Sequence, residues 1–210
     1  MSPKSRGRPP GRGRSRQSSR RSAPGRPSGS SRADGIGRAG GGINARPAEE
    51  ESADYWFDEP PAGDRRAWAV PPGRGTYREL ALELLDPDDE DERSFLLEAQ
   101  HPGLEAALAR HEEIVTDSGE PMNPTLHVML HLIVANQLMA DNPPETWQAT
   151  QRLAGLGYDW HNVMHMLMGP VSDDVYRMRT EKRPFDHEDW VRRLGELPGD
   201  WPTPEELGLR

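Results

Sequence analysis

The sequence predicts an all-α protein: a compact array of six or seven short helices preceded by a long disordered N-terminal region. Three observations predict it. Beyond about residue 90, apolar residues recur at three- and four-residue spacing rather than in alternation. Helix caps and breakers punctuate those runs, as at Asn123-Pro124 and Asp141-Asn-Pro-Pro144. The first 46 residues, by contrast, hold ten Gly and five Pro, and their only branched or large apolar side chains are Met1, Ile36 and Ile43. Burial there cannot offset chain entropy, so residues 1–46 read as a disordered basic Arg/Gly/Ser/Pro tail.

Residues 47–75 read as an acidic, aromatic, Pro-rich linker. Glu49, Glu50, Glu51 and Asp54 are followed by Tyr55-Trp56-Phe57 and Trp68, and Pro60-Pro61 and Pro71-Pro72 favour extended chain. A helical domain is expected over 76–198. Thr76 and Glu79 form a capping box for a short helix, Tyr77–Leu85, ended by Asp86-Pro87. A helix from Asp91 to Gln100 places Phe95, Leu96 and Ala99 on one side, and Pro102 breaks it. The next runs from about Gly103 to Ile114. Asn123 caps a helix, with Pro124 at its first position, that continues to about Ala140. That helix is apolar on most faces and so should be central. Asp141-Asn-Pro-Pro144 starts another, which ends at Gly155–Gly157. Asp159 caps a long one, Trp160–Thr180, which Pro170 should kink or split. Asp186 and Asp189 cap the last, with Trp190 and Leu194 on it, and residues 199–210 are left as a C-terminal tail. No repeat at a solenoid period appears.

The formal charge of −9 divides sharply: residues 1–46 carry +11, from 12 basic residues and Asp34, and residues 47–210 carry −20. No Cys is present, which excludes disulfides, thiolate metal sites and Cys nucleophiles. No stretch approaches 18 apolar residues, so no membrane partner is expected. The basic N-terminus lacks an apolar segment, and Arg20-Arg21 is followed by Ser-Ala-Pro-Gly, so neither a secretory nor a twin-arginine signal is read. The Gly and Pro content opposes an amphipathic transit helix. Cytoplasmic localisation is the expectation.

Six of the seven His lie between residues 101 and 165, and four of them form two identical spacings, His127/His131 and His161/His165. Residues i and i+4 share a helix face. Each pair can therefore offer two imidazoles to one divalent ion, with Zn or Fe as the candidate cofactor, and face-to-face packing of the helices would converge all four. Four His ligands would make a structural site, whereas three plus water would leave a catalytic position. No Glu follows His127 or His161, so the zinc-protease pattern is absent. Glu98 and His101 have the Glu-x-x-His spacing of di-iron bundles, but no second copy accompanies them. The competing reading makes these His core residues bonded to carbonyls or carboxylates. Asn136, Gln137, Asp141 and Asn162 are either partners of the rings or ordinary helix-end polar groups. Met129, Met139, Met164, Met166, Met168 and Met178 read as core filler rather than soft ligands.

The stretch Asn123-Pro-Thr-Leu-His127-Val-Met-Leu-His131 resembles a bacterial family known as domain of unknown function 1841. So do Asp141-Asn-Pro-Pro144, His161-Asn-Val-Met-His165 and Arg183-Pro-Phe185. The resemblance covers about residues 90–195. It implies a small helical bacterial domain with the four His as its shared feature, and no substrate. Asn162 stands where the family pattern has an acidic residue, which leaves no general base there. Asn136 stands before Gln137 where an acidic residue is also common.

Pro3-Lys4-Ser5-Arg6-Gly7-Arg8-Pro9 resembles an AT-hook, in which a flat Arg-Gly-Arg segment lies in the narrow A·T minor groove. Gly11-Arg12-Gly13-Arg14 extends the strip. Arg6, Gly7, Arg8, Arg12 and Arg14 are thus candidate DNA or RNA contacts; the alternatives are a solvated tail or one folded back on the acidic body. Tyr55, Trp56 and Phe57, within the acidic segment 54–58, are a candidate docking motif for a protein partner, or they pack on the domain. Three functions follow as expectations. The first is a binding or accessory protein, with or without a His-coordinated metal. The second is a metal-dependent hydrolytic or oxidative enzyme built on the four His. The third is a tail-driven nucleic-acid binder with a structural helical domain.

Overall fold

The computed structural model of the chain describes residues 54–116 and 119–209. The basic tail, for which disorder is the expectation, and its AT-hook-like Arg residues lie outside them. Seven α-helices and five short strands make up the described chain. No helix there is long and apolar enough to cross a membrane.

From Asp54 onward, the expected linker is instead part of the fold. Strand β1 (Tyr55–Phe57) pairs antiparallel with β2 (Gly73–Tyr77), which pairs with β3 (Leu80–Ala81). Between β1 and β2 lies helix α1 (Arg65–Ala69), capped by Asp64, whose carboxylate accepts from the backbone N–H of Arg66 and Ala67. Trp68 and Ala69 of α1 are buried, so a segment that reads as extended by its prolines folds because it has apolar surface to cover. Gly75 makes the β1–β2 approach feasible: its φ is +89°, and a Cβ there would lie 2.0 Å from the Asp54 carbonyl oxygen.

The helix expected over Tyr77–Leu85 does not form. Arg78 and Glu79 both take positive φ, which turns β2 into β3, and a single 3₁₀ turn follows at Leu82–Leu84. Burial of Tyr77 and Leu82 outweighs the capping-box signal.

Helix α2 (Glu90–Ala99) starts at Asp89, whose side chain accepts from Asp91 and Glu92. Helix α3 (Glu105–Arg110) is shorter than expected. His111 ends it in the left-handed region, and Ile114–Val115 (β4) then pairs with Pro121–Met122 (β5). Helix α4 (Pro124–Ala140) begins as expected, with Asn123 Oδ1 accepting from Leu126 N–H. Helix α5 (Pro144–Gly155) follows. Helix α6 (Trp160–Tyr176) is not split by Pro170 and passes into a π turn at Arg177–Glu181. Pro170 offers no N–H to the carbonyl one turn before it, and its own carbonyl accepts from Arg193 of α7 (His187–Glu196) at 2.8 Å.

Helix α4 is central, packed by α1, α2, α5 and α6. Its Leu130, Val134, Ala135 and Leu138 meet Val163, Met164 and Leu167 of α6 in one apolar cluster with Leu97, Leu153 and Trp190. Full burial of such side chains stabilises by about 1.5–3 kcal/mol each. Met164, Met166 and Met168 are core, as expected, while Met129 and Met178 are exposed. Arg65 of α1 donates to the Leu138 and Met139 carbonyls, satisfying the C-terminal end of α4. The stretch after residue 198 is not a free tail, because Trp201, Leu207 and Leu209 pack against the core.

Candidate metal centre

Three helices deliver imidazoles to one place. His101 sits just beyond the end of α2, its backbone N–H bonded to the Glu98 carbonyl at 3.0 Å. His127 and His131 lie on one face of α4, and His161 and His165 on one face of α6. Packing of α4 on α6 and α2 brings the faces together.

The ring centroids are close throughout: 4.8 Å for His127–His131, 4.1 Å for His161–His165, 5.0 Å for His127–His165 and 4.5 Å for His101–His131. One ligand atom from each of His101, His127, His131 and His165 falls within 4.8 Å of every other. Two nitrogens bound to one ion at about 2.1 Å lie about 3.0–3.4 Å apart when adjacent and about 4.2 Å when opposed. The widest pair therefore needs to close by about 0.6 Å for opposed ligands and by about 1.4 Å for a tetrahedral ion. The expected quartet is thus amended. His101 joins it, while His161 flanks it against His165 rather than standing in the tightest set.

Hydrogen bonds orient the inner rings. His101 Nδ1–H donates to the Leu97 carbonyl at 2.7 Å, which leaves Nε2 as its lone pair. That nitrogen lies 3.0 Å from His131 Nε2. Trp160 stacks on His131 with centroids 5.8 Å apart, and its own Nε1–H is used on the Trp68 carbonyl at 2.8 Å. Among the described residues, the buried Nε2 atoms of His127, His161 and His165 and the Nδ1 of His131 meet no hydrogen-bond partner. Each such orphan costs about 1–3 kcal/mol.

Burial holds the cluster neutral. Desolvation pushes His101 down to about 3 and His127 to about 4, with repulsion from neighbouring charged imidazoles adding to it. His131 and His165 lie well below the ordinary value for the same two reasons. His161 is lowered by burial, partly offset by the negative charge of Asp159. Neutral imidazole is the form in which a histidine offers a lone pair to a metal ion.

The other candidate residues go elsewhere. Glu98 pairs with Arg78 at 2.6 Å and accepts from Tyr77 Oη, so the Glu98-x-x-His101 spacing brings only its histidine to the cluster. Gln137 accepts from Thr146, Asn162 bonds Asp159 and Trp201, and Asp141 faces Arg65. Asn136 Oδ1 is buried and unpartnered. None of these four hydrogen-bonds a ring of the cluster. Tyr55 and Phe57 pack on the core, and Trp56 stays 58% exposed. His101 is the site residue that spacing undervalued, because its partners are thirty residues away.

Comparison with known proteins adds a family. Residues 83–196 match the model described as Domain of unknown function (DUF1841), a span that contains all five histidines. No curated protein and no solved structure matches the chain.

Proposed function

The chain belongs to the family described as Domain of unknown function (DUF1841), and, with no activity to carry over, we propose from its own residues that the helical domain binds one transition-metal ion. His101, His127, His131 and His165 would hold it, with His161 beside His165 as a further donor. One observation carries this reading. Three Nε2 atoms are buried without partners beside two more imidazoles whose nitrogens already approach to 3.0 Å. Core histidines kept for structure would find carbonyl or carboxylate acceptors, as His101 Nδ1 does. An ion held by the tightest set would satisfy the Nε2 atoms of His127 and His165 at once, with His161 Nε2 beside them.

A binding or accessory role suits the donor set better than hydrolysis. Among the described residues, no hydrogen bond or ion pair joins a ring of the cluster to a carboxylate that would serve as general base. The test is elemental analysis of protein purified without a polyhistidine tag, beside a His127→Ala/His165→Ala variant. About one ion per chain in the first and none in the second is the expected result. A metal-free wild type that takes up no Zn, Fe, Ni or Cu overturns the reading.

The charge division supports a second role. With +11 on residues 1–46 and −20 on the rest, nucleic-acid contact would come from the tail, through Arg6, Arg8, Arg12 and Arg14 about Gly7.

A further inference from the structure

We infer that the five-histidine site selects the lower-charged ion of a redox couple, holding copper as Cu(I) and iron as Fe(II). The inference rests on the metal-binding reading and names the ion class that such a site takes.

Every donor in the cluster is a neutral imidazole. His131 and His101 are 0% and 3% exposed, and the Nε2 atoms of His127, His161 and His165 are buried. An ion held there keeps its whole formal charge, because no ligand brings a negative one. Each added positive charge is penalised in a desolvated site, and only a nearby anion or well-placed dipoles would offset it.

The described surroundings supply little of either. The ring hydrogen bonds run to the Leu97 carbonyl and between His101 and His131. Asp159 acts on the cluster through its field on His161, which works against the effect of burial. Its Oδ1 is already committed to the Asn162 backbone N–H at 2.9 Å and to Asn162 Nδ2 at 2.8 Å, as the cap of α6. Glu98, the acid nearest in sequence to His101, is turned to Arg78 and Tyr77. Trp160, stacked on His131, is an uncharged wall.

The acidic body works in the opposite direction, since −20 on residues 47–210 favours cations of higher charge. Among the described residues those carboxylates are mostly on the surface, where salt screens them beyond about 8 Å. The local donor set therefore decides the preference. A site built to hold a higher oxidation state would place Asp or Glu among its ligands.

The experiment is a potentiometric titration of the copper-loaded full chain, with Cu(II) followed by electron paramagnetic resonance. A midpoint above that of the aqueous copper couple is expected, each tenfold preference for Cu(I) over Cu(II) raising it by about 59 mV. A His127→Glu variant, which adds one anionic donor, should have a lower midpoint than wild type. Copper bound at one per chain with a midpoint at or below the aqueous couple overturns this inference and leaves metal binding standing. Failure to bind copper in either oxidation state, or any of Zn, Fe and Ni, removes the metal reading and this inference together.

Discussion

His101 Nε2 lies 3.0 Å from His131 Nε2, joining the end of α2 to the middle of α4. The Leu97 carbonyl occupies His101 Nδ1–H, so His101 Nε2 is an acceptor and His131 Nε2 carries the shared proton in the metal-free protein. If the His131 proton moved to its partnerless Nδ1, the two Nε2 lone pairs would stand at a spacing that suits adjacent ligands of one ion.

His101→Ala should therefore weaken metal binding although His101 belongs to neither i, i+4 pair. Loss of a direct ligand is expected to cost about 100-fold or more in affinity, beyond the 10–100-fold typical of outer-shell partners. Competition titration with a chromophoric chelator measures it. His187→Ala is the control, since that exposed ring pairs with Glu145. Equal affinity of His101→Ala and wild type would remove His101 from the ligand set.

The metal-free protein should lose stability in mild acid. His127 and His101 are held at about 4 and about 3, and His131, His161 and His165 are also lowered, so the folded state resists protons that the unfolded chain accepts near 6.5. A folded pKa below the unfolded one gives stability that is complete above about pH 6.5. It falls as pH drops through 6.5 toward 4 and 3, by up to about 1.4 kcal/mol per pH unit for each histidine. Urea unfolding of chelator-treated protein at pH 7.5 and 5.5 is the check, and identical midpoints would contradict buried neutral rings.

Arg193 is buried with Asp174, donates to the Pro170 carbonyl at 2.8 Å and lies 3.0 Å from Asp189. Arg193→Ala leaves the Asp174 carboxylate buried and unpaired, at an expected cost of about 3–5 kcal/mol. Arg193→Met with Asp174→Leu should cost much less than the two single changes together. Denaturant titrations of the three variants decide it, and strict additivity would show that the pair does not act as a unit.

A chain beginning at Asp54 should keep the thermal stability of the helical domain, whereas one beginning at Thr76 should not. The second lacks Trp68, whose loss alone is worth about 3–5 kcal/mol, and Arg65, which caps α4. Far-ultraviolet circular dichroism melts compare them. Matching melts would return residues 54–75 to the status of a linker.

Deleting residues 1–46 should abolish salt-sensitive binding to an A·T-rich duplex or to RNA. In the full chain the affinity should fall steeply with salt, since 12 basic residues are available to neutralise phosphates. Fluorescence anisotropy between about 50 and 200 mM salt reads the slope. Unchanged binding by the truncated chain would assign the contact elsewhere.

The helical class, the caps at Asn123, Asp159 and Asp186 and the central position of α4 were legible in the residues alone. They depend on short-range chemistry: a side-chain oxygen satisfying free N–H groups, and apolar spacing that matches one helical turn. The His127/His131 and His161/His165 pairs were legible for the same reason, because i and i+4 share a face whatever the fold. Tertiary structure decided what depends on distant partners. Trp68, Tyr77 and Leu82 had core to join, so they overrode the linker and capping-box signals and made β1, α1 and the β2–β3 turn. His101 entered the cluster because α2 ends against α4, a contact across thirty residues that no local spacing encodes. Local chemistry set which faces carried imidazoles, and the packing of three helices set how many of them meet.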